Sequence, residues 1–239
     1  MVVQRRIAPK RAVWPLAAII VALALSGAAC GLYRAAPMIP TPTPPNADIV
    51  RDGGFEARSG AWTPSGAGAF IAKGIAHGGM QSAALRTPAG GSGSVAIVQA
   101  LDTAAFPEFV SGFYRLDGWH PASGARSIEF AVTVRGGDFA DGAPSHTVRF
   151  VIGGLAAAPP ALPPTERYVF LSRAAPKVGA WTYFGYPVGN AFEKAFGRLP
   201  TRWSAIDLSL AATTGGATAY FDDIYAGPQF ENPNRPPAQ

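Results

Sequence analysis

The chain has 239 residues, 48% of them hydrophobic and 15% charged, with 20 Lys+Arg against 15 Asp+Glu for a formal charge of +5. Four of those cations, Arg5, Arg6, Lys10 and Arg11, precede Ala12; removing them from the 20 leaves 16 against 15 acids, and no basic run survives. That excludes the electrostatic footprint of a nucleic-acid binder. The single cysteine, Cys30, excludes an intramolecular disulfide, so the body must be held by its apolar core and by any metal it binds.

The N-terminus has an export layout. The basic segment is followed by an uncharged run, Ala12 to Ala29, which ends in small residues (Ser26-Gly27-Ala28-Ala29) just before Cys30. This resembles a bacterial lipoprotein signal, in which such a cysteine becomes the first residue and is lipidated. Gly27 departs from that pattern, where a larger aliphatic residue is usual. The run is also close to the ~20 residues that span a bilayer, so an uncleaved N-terminal anchor helix stays open. Cys30 as an ordinary residue near a cleavage site stays open too. All three readings put the body outside the cytoplasm, and the first two tether it to the membrane at the cell envelope. Residues 1–29 thus read as signal peptide or membrane anchor. Residues 30–46 read as a semi-rigid linker built on Pro37-Met38-Ile39-Pro40-Thr41-Pro42-Thr43-Pro44-Pro45. Residues 47–227 form one domain large enough for a proper core, and 228–239 a Pro-rich disordered tail.

The body alternates apolar and polar residues in short runs separated by Gly and Pro, the pattern of a β-sandwich or barrel. In Arg126–Arg135, Ile128, Phe130, Val132 and Val134 share one face. Further strands are predicted at Ala67–Ala72, Ser82–Thr87, Ser94–Leu101, Phe109–Leu116, Thr147–Ile152, Arg167–Ser172, Thr182–Tyr186, Ser204–Ala211 and Ala217–Ala226. One short helix is predicted over Ala191–Phe196, with Asn190 as N-cap and Gly197 as C-cap. The last strand carries two adjacent carboxylates, Asp222 and Asp223, whose side chains in a regular strand point to opposite faces. An unpaired inward carboxylate is expensive, and a metal ion would compensate it. The segment expected to meet it is Asp52-Gly53-Gly54-Phe55-Glu56.

Four pieces carry a resemblance to a known family. They are Ile49-Val50-Arg51-Asp52-Gly53-Gly54-Phe55-Glu56 followed by Trp62, then His77-Gly78-Gly79-Met80-Gln81-Ser82-Ala83-Ala84-Leu85, then Ser94-Val95-Ala96-Ile97-Val98-Gln99, and the closing Tyr220-Phe221-Asp222-Asp223-Ile224-Tyr225. In this order they resemble a galactose-binding-like jelly roll of the type found in carbohydrate-binding modules beside xylanases and glucanases. The resemblance implies an all-β fold, a two-sheet antiparallel jelly-roll β-sandwich with first and last strands adjacent. It also implies a structural Ca²⁺ tying the ends together. Glu56 and Asp222 would give carboxylate oxygens and the His77–Gly79 turn backbone carbonyls. The alternative is that these two acids cap turns or accept backbone hydrogen bonds.

The resemblance implies carbohydrate as partner, held on aromatic side chains with a few polar groups. Trp119, Trp181 and Tyr183 are the candidates, with Tyr114 and Arg115 on a neighbouring strand; Trp62 and Trp203 read as core plugs. Catalysis finds no support. There is no Gly-x-Ser-x-Gly and no His-Glu-x-x-His, and Glu108, Glu129 and Glu166 read as salt-bridge partners. The expectation is an exported, membrane-tethered, non-catalytic carbohydrate-binding protein. The alternatives are a structural or protein-interaction domain and, more weakly, a glycan-active hydrolase.

Overall fold

The computed structural model describes residues 48–57, 59–89, 93–119 and 126–228. The candidate signal, Cys30, the linker and the tail lie outside these residues. Among the described residues no helix is long and apolar enough to cross a membrane.

Among the described residues eleven strands and one helix follow in order: β1 (Thr63–Ser65), β2 (Ala69–Lys73), β3 (Gln81–Arg86), β4 (Val95–Leu101), β5 (Phe109–Leu116), β6 (Ser127–Arg135), β7 (Ser145–Gly153), β8 (Glu166–Phe170), β9 (Thr182–Tyr186), α1 (Val188–Phe196), β10 (Ala205–Thr213) and β11 (Thr218–Gly227). They form a six-stranded sheet, β1-β4-β10-β6-β7-β8, and a five-stranded sheet, β2-β3-β11-β5-β9. Every pairing is antiparallel except that of β7 with β8. This is the expected two-sheet sandwich.

Alternation builds the core. Phe130, Val132, Leu208, Leu210, Val148 and Phe150 face inward from the large sheet, and Leu85, Leu116, Phe184 and Phe221 from the small one, all buried. Phe130 joins the layers, its ring 4.5 Å from Phe150 in its own sheet and 5.4 Å from Phe184 in the other. Such rings contribute about 1 kcal/mol beyond their burial.

Two local expectations need correction. Helix α1 begins at Val188 with Pro187 as N-cap, so Asn190 lies inside its first turn. Proline's fixed φ suits a helix start, and Val188, Ala191 and Phe192 bury the helix face. The predicted end holds, at Gly197. Strand β1 was not predicted, because Pro64 sits at its centre; as an edge strand paired only to β4 it tolerates a residue without N–H.

Candidate functional site

The two ends of the body meet on one turn. The Ile49 amide donates to the Ala226 carbonyl at 2.8 Å, and the Ile224 amide to the Gly53 carbonyl at 3.0 Å, so the opening segment runs beside the end of β11. Gly53 lies so close that a Cβ there would overlap the Ile224 carbonyl oxygen. Asp52, Phe55 and Asp223 all hold left-handed backbone at this junction, a conformation uncommon outside glycine.

The paired aspartates do not point to opposite faces. The β11–β5 register shifts between Asp222 and Tyr225, and the bulge turns both carboxylates toward the loop before β3. Asp222 Oδ2 accepts the amides of His77 (2.6 Å) and Gly78 (3.1 Å), while Oδ1 accepts that of Asp223 (2.8 Å). Asp223 Oδ2 meets His77 Nδ1 at 2.7 Å. At the other end of the same turn, Glu56 Oε1 accepts the amides of Met80 (2.6 Å) and Gln81 (2.7 Å). Only glycine at 79, with φ +68°, leaves room for that carboxylate. Burial pushes the Asp222 carboxyl up to about 6; the three amides oppose the rise and the neighbouring Asp223 charge adds to it. The Met80 and Gln81 amides hold the Glu56 carboxyl below its ordinary value.

The residues named for calcium, Glu56, Asp222, His77 and Gly79, therefore do converge. The two carboxylates alone do not complete the ion's donor set. Calcium needs six to eight oxygens, and both Asp222 oxygens and Glu56 Oε1 are engaged by N–H groups. Among the described residues no three His, Cys, Asp or Glu side chains stand together so as to hold a metal ion. The turn closes as a hydrogen-bonded clamp. The expected result is one melting temperature in millimolar calcium and in EDTA; a clear rise with calcium would return the ion to this turn.

Above the clamp, the outer face of the five-stranded sheet carries an aromatic surface. In register across it, Phe70 stands opposite Ala84, Ala84 opposite Tyr220 and Tyr220 opposite Arg115. One row on, Phe113 stands between Asp222 and Tyr183. The His77 ring stacks on Phe113 at 3.5 Å and meets the Trp181 edge at 5.9 Å; Phe113 meets Tyr183 at 5.5 Å. Ala72, Ala84 and Tyr220 form an apolar cluster separate from the main core, with Ile75 and Trp181 packed on it. Beside it opens a cleft of about 420 Å³, lined by Phe70, Arg86, Asp117, Gly118, Gly216–Thr218 and Tyr220. The Tyr220 hydroxyl donates to Asp117 Oδ2 at 2.7 Å, and Arg115 Nε, shielded from water but without a hydrogen bond, lies 3.8 Å from Asp117 Oδ1.

The structure thus brings Trp181, Tyr183 and Arg115 onto one face and leaves the other two candidates off it. Tyr114 has the opposite strand parity from Arg115 and is buried in the main core. Trp119 packs against that core with its ring over Gly154. Trp62 and Trp203 pack on the core as expected, Trp62 stacking on Phe55 and donating to the Asp52 carbonyl. Phe70, Arg86, Asp117 and Tyr220 were not named from sequence. Their signal is strand parity alone, legible only once β11 is known to be central. Glu129 and Glu166 share Arg149, with Glu129 Oε1 2.8 Å from Nη1 and Glu166 bonded to Nε.

No family model matches the chain, and no curated protein matches its sequence. Solved structures do match in fold. One is the carbohydrate-binding module TmCBM61 in complex with β-1,4-galactotriose, at 14% identity, 76% of this chain, 99% of that chain and TM-score 0.44. Another is the CBM22-1 xylan-binding domain of Paenibacillus barcinonensis Xyn10C, at 19% identity, 76% and 94% coverage and TM-score 0.42. A third is the C-terminal family 22 carbohydrate binding module of Clostridium thermocellum Xyn10B, at 14% identity, 77% and 96% coverage and TM-score 0.43. These likenesses are too distant to carry a ligand across to this chain.

Proposed function

We propose that the protein is an exported, envelope-tethered, non-catalytic binding protein that holds a saccharide on the outer face of its five-stranded sheet. The observation that carries this reading is the cleft itself. Exposed and half-buried rings (Phe70, Trp181) stand beside a polar cluster (Arg115, Asp117, Tyr220). A sugar presents both an apolar C–H face, which stacks on rings, and hydroxyls, which need charged or phenolic partners. Export and tethering rest on the basic segment, the uncharged run, Cys30 and the proline spacer, which would hold the domain off the membrane.

The test is affinity electrophoresis and a glycan array with the wild type, Phe70→Ala and Trp181→Ala. Each variant is expected to lose roughly tenfold in affinity, the effect of about one lost stacking contact. Phe70 is 49% exposed on an edge strand, so its variant keeps the fold. Wild-type protein that binds no glycan, or two variants that bind as tightly as wild type, would sink the reading. A second reading, protein docking without a sugar site, draws on β2, an edge strand that exposes both Phe70 and Ile71.

A further inference from the structure

The clefts beside this surface share a cation that has no partner among the described residues. Arg86 ends β3 and is exposed, opposite Thr218 of β11. Its guanidinium makes no hydrogen bond or ion pair with a described residue, a state it shares with Arg51 and Arg202, which line neither cleft, whereas Arg115, Arg126, Arg135, Arg149, Arg167, Arg173 and Arg198 are engaged. Arg86 lines the cleft of about 420 Å³ and also an adjoining one of about 240 Å³, formed with Thr87, Pro88, Ala89 and Gly216. Arg86 therefore borders both clefts.

No carboxylate in the clefts is left over for it. The lining of both clefts contains one carboxylate, Asp117, and that group is already engaged by the Tyr220 hydroxyl and faced by Arg115. Arg115 lies outside the lining, so Asp117 is taken up by neighbours other than Arg86. The Tyr220 phenol stays neutral, since burial and the hydrogen bond to Asp117 push its ionisation up. A neutral saccharide offers a guanidinium only uncharged hydroxyl acceptors, which leave its charge uncompensated. A planar carboxylate matches its fork in two parallel charge-assisted hydrogen bonds. On the same wall, Phe70 and Tyr220 offer rings for the sugar's apolar face.

Resting on the saccharide reading above, we infer that the ligand is anionic: a uronic-acid-containing glycan whose carboxylate pairs with Arg86 while its ring lies against Phe70 and Tyr220. Arg115 and Asp117, joined to Tyr220, take the neighbouring hydroxyls. Because Arg86 is exposed, the attraction is screened by salt, and binding weakens as ionic strength rises.

The test uses the full chain and two probes, unesterified oligogalacturonate and the same oligomer with each carboxylate converted to a neutral methyl ester, each titrated calorimetrically. The expected result is at least tenfold tighter binding of the unesterified oligomer. That preference should shrink at high salt, collapse in Arg86→Gln and survive in part in Arg86→Lys. Circular dichroism should show both variants folded, since the replaced side chain is exposed. Equal affinity for the two oligomers would overturn the anionic inference and leave the saccharide reading standing. So would a preference that persists undiminished in Arg86→Gln, because the recognising charge would then lie elsewhere. No binding of either oligomer or of any neutral glycan would overturn both.

Discussion

Asp222→Ala is expected to destabilise the protein by about 4 kcal/mol, read as a fall in the urea midpoint with little change in slope. The carboxylate is fully buried, and it is the acceptor for three backbone amides, those of His77, Gly78 and Asp223. Truncation leaves three part-buried N–H groups without partners, each costing about 1–3 kcal/mol, less whatever water recovers. The loss does not stay local. The same turn holds Glu56 through Met80 and Gln81 and carries the His77 ring stacked on Phe113, so releasing it loosens the seam between chain ends and sheet. Amide exchange at His77 and Gly78 should speed up before global unfolding. Asp222→Asn keeps the shape but turns one acceptor into a donor facing an amide, so an intermediate loss of about 2 kcal/mol is expected. pH gives a further signature. The folded value of about 6 lies above the ordinary 3.8, so the native state binds the proton more tightly than the unfolded chain does. The contribution of this group is full below about pH 4 and is lost as pH rises through about 6. The gap between wild type and Asp222→Ala should therefore widen on acidification across that window. A gap under about 1 kcal/mol at every pH would remove the clamp as a stabilising device.

Strand order and strand parity divide what the sequence discloses from what it hides. β5 and β9 lie where alternation and turn residues place them, because a sandwich strand needs one apolar face and the turns need Gly or Pro. The meeting of Glu56, Asp222 and the His77–Gly79 turn was legible from the motifs that flank it. The direction of Asp223 was not. A bulge inserts one residue without a compositional mark, and it overturns the rule that neighbours in a strand face opposite ways. Tyr114 and Arg115 show a related limit. Adjacent residues of β5 must face opposite layers, yet Phe109, Val110, Phe113 and Leu116 leave both faces apolar, so nothing local decides which one looks outward. Trp119 misleads in another way. Its neighbours Asp117 and Gly118 are those of an exposed turn, whereas its position is set by Gly154, distant in sequence, whose missing side chain makes room for the ring. Arg86 is silent in the sequence because a free cation and a paired one look alike until their surroundings are known.

Arg149→Met is expected to cost about 3 kcal/mol at neutral pH, the second large effect. Arg149 lies on the outer face of the six-stranded sheet and bridges Glu129 of β6 to Glu166 of β8. Glu129 is 6% exposed, and burial already pushes its carboxyl up, with Arg149 opposing. Methionine keeps most of the stem's packing and removes the compensating charge, leaving a buried carboxylate that must be ionised alone or protonated. The cost falls toward the lower end for broken buried pairs because Arg149 is one-third exposed. The sign of the pH effect follows. With Arg149 gone the folded value of Glu129 rises further above its ordinary 4.5, so the variant is least impaired below that value. Its deficit should grow as pH climbs above the ordinary carboxylate range, opposite to the trend for Asp222→Ala. The double variant Glu129→Gln with Arg149→Met should regain a large part of the loss, since no buried charge is left unpaired. A deficit flat with pH, or a double variant no better than the single, would show that the guanidinium acts through packing. The fold gives the pair a reason. β8 is an edge strand joined by the parallel ladder to β7 alone, and a side-chain bridge reaching across β7 to β6 ties it to the third strand in.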